Sequence, residues 1–240
     1  MLQRNIVLLF ALAVVIGSVH AQVRPGLKMG YNFGGVMANY HPGADKTIVP
    51  GNPDNFKMKS GFQIGLITDC PISETFAIQP GARFSMQGFI DRFNDNGKST
   101  RRFSLFYLQV PVYAQYRLNV YEETNVLFQA GPYVGYGLFG RHSWMKKGKD
   151  QMGESDKKIT FGNGTTKDIS NGMDYGIGAG VGIEFYRFQL MVTYDFGLYE
   201  MTFKKDNMKS AKYDVDMRNH NLSVTFAVIF GRRDPLQGKE

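Results

Sequence analysis

Gly176-Ile177-Gly178-Ala179-Gly180-Val181-Gly182-Ile183 decides how this chain is read. Glycine alternates with an apolar residue at every step. A period of two is a β-strand with one apolar face and one nearly bare face. A sheet surface turned to water carries Lys, Glu and Thr rather than a row of glycines. A bare face fits where space is short, as inside a small closed barrel. The apolar face of such a barrel then meets lipid.

Working outward, the same period recurs in seven more segments, at about 26–33, 61–69, 75–87, 103–118, 125–139, 187–199 and 221–230. In 103–118, for example, Phe106, Leu108, Val110, Val112, Ala114, Tyr116 and Leu118 oppose Tyr107, Gln109, Tyr113, Gln115 and Arg117. Pro80, Pro111 and Pro132 fall inside three of these segments. Proline removes a ladder donor and ordinarily marks a bulge or an edge, so bulges are expected there.

The connections alternate in length. Long ones at about 34–60, 88–102, 140–172 and 200–220 are separated by short ones at 70–74, 119–124 and 186–187. Outer-membrane barrels have short periplasmic turns and longer external loops. The expectation is an all-β fold, an eight-stranded antiparallel up-and-down transmembrane β-barrel with both termini in the periplasm. A soluble lipocalin-like barrel also alternates, but with its apolar face inward and a Lys- and Glu-rich face outward. Here the polar face holds Gln, Tyr, Gly and a few Arg. The apolar face carries aromatics toward the strand ends, at Phe76, Phe106, Tyr116, Tyr175, Phe188 and Phe196, where membrane girdles belong.

Residues 1–21 read as a secretory signal. Arg4 precedes an apolar run from Ile6 to Ile16, and Val19-His20-Ala21 places small residues where a signal peptidase reads them. The run is shorter than the roughly 20 residues of a spanning helix. The barrel domain is then 22–240. Mean hydropathy of −0.26 does not oppose a membrane barrel, because alternating faces average it out. Cys70 is the single cysteine, which excludes an intrachain disulfide. The net charge of +7 is spread along the chain without a basic block interleaved with aromatics, so nucleic acid is not an expected partner.

Several stretches match a known family. They are Gly26-Leu27-Lys28-Met29-Gly30-Tyr31-Asn32, Tyr107-Leu108-Gln109-Val110-Pro111, Ala130-Gly131-Pro132-Tyr133-Val134-Gly135-Tyr136, the glycine strand, and the closing segment 221–230. Across nearly all of 22–240 the chain resembles the outer-membrane β-barrel family of Bacteroidetes that includes PorT-like proteins. The resemblance implies an eight-stranded outer-membrane barrel and, for some members, an association with protein secretion. It carries no catalytic residue onto this chain.

The inward positions give a polar inventory that includes Lys28, Gln63, Gln79, Gln109, Tyr113 and Tyr133. Buried charges must be paired or hydrated, so Arg83 and Arg117 are expected to face Glu184 and Asp195 across the lumen as a barrel-interior network. His41, His142 and His220 are the histidines beyond the signal, none beside a serine on its own face, so no enzyme and no cofactor is expected. Asp91, Asp95 and Asn96 lack the calcium-loop signature, and no metal is expected. The connection 140–172 is basic and holds the chain's one tryptophan. Trp144, Lys146, Lys147 and Lys149 are its candidate partner-binding residues. Outer-membrane lipid and lipopolysaccharide phosphates suit such cations, and envelope or secretion proteins are the other class of partner. The expected function is therefore a non-enzymatic envelope, surface-interaction or secretion-associated role. A lipid hydrolase or acyltransferase, and a narrow polar pore, are the alternatives.

Overall fold

The computed structural model describes residues 23–40, 56–93, 99–146, 157–161, 172–202 and 215–231. The strands are β1 (Arg24–Tyr40), β2 (Phe56–Pro71), β3 (Phe76–Phe93), β4 (Ser99–Tyr121), β5 (Thr124–Lys146), β6 (Lys157–Ile159), β7 (Met173–Phe185), β8 (Phe188–Thr202) and β9 (Val215–Ile229). All pairings are antiparallel, and β1 pairs with β9, so eight long strands close into a barrel. The short β6 pairs with β5 at Gly140–His142, above the point where β7 leaves it at Tyr136.

Side-chain parity does what the period dictates. On β7, Tyr175, Ile177, Val181 and Ile183 are exposed on the outer surface while the alternate positions turn inward. On β4 the outward run Leu108, Val110, Val112 and Ala114 is bounded by Phe106 at one end and Tyr116 at the other. Ten residues separate these two aromatics. At about 3.4 Å per residue and a tilt near 45°, they stand about 24 Å apart in height, close to the roughly 25 Å apolar band of such barrels. Each rim is a row of rings. Phe62, Phe84, Phe106 and Phe139 follow one another across β2–β5 at centroid separations of 6.4, 5.7 and 4.5 Å. At the short-turn end, Phe76–Tyr116 and Tyr116–Phe128 lie 5.0 and 6.5 Å apart, and Phe188–Phe226 5.8 Å.

Three sequence expectations are corrected. Most strands exceed their periodic segments, β4 and β5 each reaching 23 residues. The extra length lies at the long-loop end, because Tyr121 pairs with Thr124, and Phe185 with Phe188, at the other. Polar and aromatic residues there keep the ladder without keeping the apolar alternation.

The prolines are not bulges. Pairing jumps from Pro80–Val112 to Arg83–Gln109, and from Pro111–Tyr133 to Ala114–Ala130, with the register unchanged. Each proline costs local ladder bonds only. The shifts fall instead at Met58/Gln63, Phe106/Tyr107, Asn119/Tyr121 and Phe196/Glu200.

Finally, 140–172 is not one continuous loop. Residues 140–146 belong to β5, and 157–161 fold back onto it.

Candidate functional site: a closed polar lumen

The glycine wall of β7 sets the shape of the lumen. A Cβ on Gly178 would lie 2.7 Å from the Tyr113 hydroxyl and against an oxygen of Asp195, and one on Gly176 would lie 2.8 Å from the Tyr133 ring. Large side chains from β4, β5 and β8 therefore fill space that β7 leaves empty. Thirteen residues of alternation in β7 are in effect a mould for the interior.

The lower lumen, at the short-turn end, is ionic. Asp69 on β2 accepts from Arg24 on β1, at 3.1 Å from Nε and 2.5 Å from Nη2, and it also pairs with Arg117 on β4. Arg117 Nε stands 3.4 Å from Glu184 on β7. Glu184 in turn accepts from Gln189 Nε2 at 2.7 Å and from Asn125 Nδ2 at 3.3 Å. The chain continues through Gln79, which donates to Gln189 at 3.2 Å and accepts from Lys28 at 3.1 Å.

The middle layer centres on Arg83. Its Nη2 donates to Asp195 at 2.6 Å and its Nε to Gln109 at 2.9 Å. The Tyr113 hydroxyl donates to the other Asp195 oxygen at 2.8 Å, and the Tyr133 ring faces the guanidinium at 5.9 Å. Gln109 also donates to Asp174 at 3.2 Å. Among the described residues of these two layers, bases Arg24, Lys28, Arg83 and Arg117 are matched in number by acids Asp69, Asp174, Glu184 and Asp195. The amides of Gln63, Gln115 and Asn221 are buried without a protein hydrogen-bond partner. Such groups call for ordered water, so the lumen is polar but filled.

The mouth at the long-loop end is apolar. Leu105 and Tyr107 of β4 pack with Ile159 of β6 and with Phe161, and Phe103 and Tyr199 lie against them. Gly137, Gly140 and Gly172 make the seat: a Cβ on Gly137 would meet the Phe161 ring at 2.8 Å, and one on Gly140 would lie 3.1 Å from Ile159. Gly137 N–H donates to the Gly172 carbonyl at 2.6 Å, which ties the entry into β7 to β5.

Of the residues singled out from the sequence, Arg83 lies with Asp195, and Arg117 with Glu184. Asp69, Arg24 and Asp174 were missed, although each shares inward parity with its neighbours in the alternation. Trp144 and Lys146 sit in β5, with their side chains outside the described residues, and Lys147 and Lys149 lie outside them altogether. His142 packs on Phe103 at 4.8 Å and His220 against Tyr194 at 6.1 Å. His220 stands on the face of β9 opposite Ser223, which turns inward. His41 lies outside the described residues. Among those described, no cluster of His, Cys, Asp and Glu could hold a metal ion.

Several solved barrels are similar to this chain. The attachment invasion locus protein Ail of Yersinia pestis shares 12% identity over 86% of this chain and 98% of its own, at a TM-score of 0.39. Neisserial surface protein A shares 13% over 86% and 97%, at 0.40. The outer-membrane protein AlkL shares 11% over 89% and 94%, at 0.34. No curated protein matches the sequence significantly. The family model described as the outer membrane protein beta-barrel domain matches residues 20–202, most of the chain, and with the closed eight-stranded barrel it makes this protein a member of that family of integral outer-membrane barrels.

Proposed function

We propose that the protein is a non-conducting, non-enzymatic barrel that acts at the cell envelope through its long-loop end, with the secretion-associated role that its resemblance to PorT-like proteins implies for some members. In this reading residues 1–21 are the export signal, the mature domain is 22–240, and both termini face the periplasm. The long-loop end then faces outward, and Trp144, Lys146, Lys147 and Lys149 belong to the surface that meets partners. Those partners are outer-membrane lipid, lipopolysaccharide and envelope or secretion proteins.

One observation carries the proposal: the lumen is closed twice, by the Arg24–Asp69–Arg117–Glu184 cluster and by the Ile159–Phe161 cap. An interior filled by side chains is what eight strands permit. A protein built this way offers its rims, not its bore. The test is reconstitution into planar bilayers. The expected result is no steady conductance. Steady, ion-selective steps from the unaltered protein would overturn the proposal in favour of a narrow pore. N-terminal sequencing of the protein from outer membranes is expected to begin at Gln22.

A further inference from the structure

We propose that the outer rim carries a binding site for the phosphate of an outer-leaflet glycolipid, built by Lys59, Arg102, Arg141 and Lys158 just above the upper aromatic row. The proposal rests on the long-loop end facing outward.

The register brings these cations together. Ser104, Arg141 and Lys158 are consecutive cross-strand partners on β4, β5 and β6. Arg141 and Lys158 are both exposed, while Gly140 and Ile159 beside them turn inward. Lys59 reaches the same place from β2, its Nζ donating to Ser104 Oγ at 2.7 Å. Arg102, exposed one pleat further along β4, lies close enough to act on Lys59 electrostatically.

Height identifies the ligand. Phe106 and Phe139 stack at 4.5 Å in the aromatic row that marks the headgroup level. Arg141 is two residues beyond Phe139, and Ser104 two beyond Phe106, a rise of about 5 Å for a tilted strand. The cations therefore sit where lipid phosphates sit. Phe139, Gly140, Arg141 and Lys158 line one open groove, with a ring at its lipid edge and ammonium and guanidinium groups above. From the Lys59 ammonium at Ser104 to Lys158 the row crosses two strand spacings, roughly 10 Å. That breadth suits a phosphorylated sugar headgroup better than the single phosphodiester of a glycerophospholipid.

The test uses the full-length protein in lipid nanodiscs, with lipid A, phosphatase-treated lipid A and phosphatidylglycerol as probes and native mass spectrometry as the readout. Lipid A is expected to bind in preference to the other two. Near an anionic surface each basic residue contributes about fivefold in affinity. Arg141→Gln with Lys158→Gln should therefore lose more than tenfold, and adding Lys59→Gln should lose more. Arg187→Gln, in the turn at the opposite end, should change nothing. Equal binding of lipid A and its dephosphorylated form, or full binding by the Arg141→Gln/Lys158→Gln protein, overturns the site. So does equal retention of phosphatidylglycerol. Orientation is read separately, by labelling Lys158→Cys in a Cys70→Ser background on intact cells with an impermeant maleimide. Labelling without lipid A preference rejects the site and leaves the topology standing. Failure to label rejects the topology itself.

Discussion

The two ends of the lumen are closed by opposite chemistry. At the short-turn end Asp69 holds Arg24 and Arg117, all three buried. At the long-loop end Leu105, Tyr107, Ile159 and Phe161 close the mouth with apolar contacts. An ion cluster in a low-dielectric interior fails abruptly, because deleting one member strands the charge of the others. An apolar cap fails by degrees, as contacts and buried area are lost. The lower end is therefore a lock, and the upper end a closure that tolerates adjustment. The strand-end residues Arg24 and Asp69 give the lock its identity, whereas the return segment 157–161 supplies half of the cap.

The sharpest way to break this comparison is Asp69→Ala. It leaves Arg24 and Arg117 facing each other without their shared carboxylate, and should destabilise the barrel by about 3–5 kcal/mol in urea titrations in lipid vesicles. Replacing Arg117 by Met in the same protein should recover part of that loss. A cost below about 1 kcal/mol for Asp69→Ala would mean that the lower end is not held by charge.

Phe161→Ala comes next. Phe161 is nearly buried but sits at the mouth, so the expected cost is about 2–3 kcal/mol, toward the lower side of a core Phe→Ala change. Added salt should leave the cost unchanged. A salt-dependent loss would contradict an apolar closure.

Gly178→Ala probes the middle layer, where a methyl group must displace the Tyr113 hydroxyl and Asp195. Overpacking of this kind costs about 1–3 kcal/mol. Gly140→Ala would crowd Leu105 Cδ2 at 2.8 Å together with the Ser104 carbonyl oxygen at 3.0 Å and the Ile159 Cβ at 3.1 Å, so a penalty of the same order is expected in the apolar cap. The smallest effect is expected for Ile159→Val, about 0.5–1.5 kcal/mol, with the barrel otherwise intact.

Parity and turn order were legible in the sequence because both are local. The period of two in 173–185 shows which residues enter the lumen, and the alternation of long and short connections orders the strands. The Arg83–Asp195 and Arg117–Glu184 juxtapositions follow from a list of inward charges with few ways to pair. Other features depend on information the chain does not hold locally. Arg24, Asp69 and Asp174 sit at segment ends, where alternation has too few neighbours to be counted. The register through Pro80, Pro111 and Pro132 is held by the ladders on either side, which override what each proline does alone. The return of 157–161 rests on the cradle of Gly137, Gly140 and Gly172, and no short-range pattern links those glycines to Ile159 and Phe161.

The seam between β1 and β9 has a consequence for how the barrel is made. Its first rung joins Gly26 to Ile229, and the Phe230 N–H donates to the Pro25 carbonyl at 2.7 Å. This pairing joins the two extremes of the barrel sequence, so it is the slowest contact to find. Arg83 on β3 and Asp195 on β8 lie 112 positions apart and meet only once the sheet has rolled. Before that moment the same charges would line an open sheet with nowhere to go in lipid. The buried ions thus penalise unrolled intermediates in lipid, where they have no partners. They act as a ratchet that makes insertion into the bilayer and completion of the cylinder a single event.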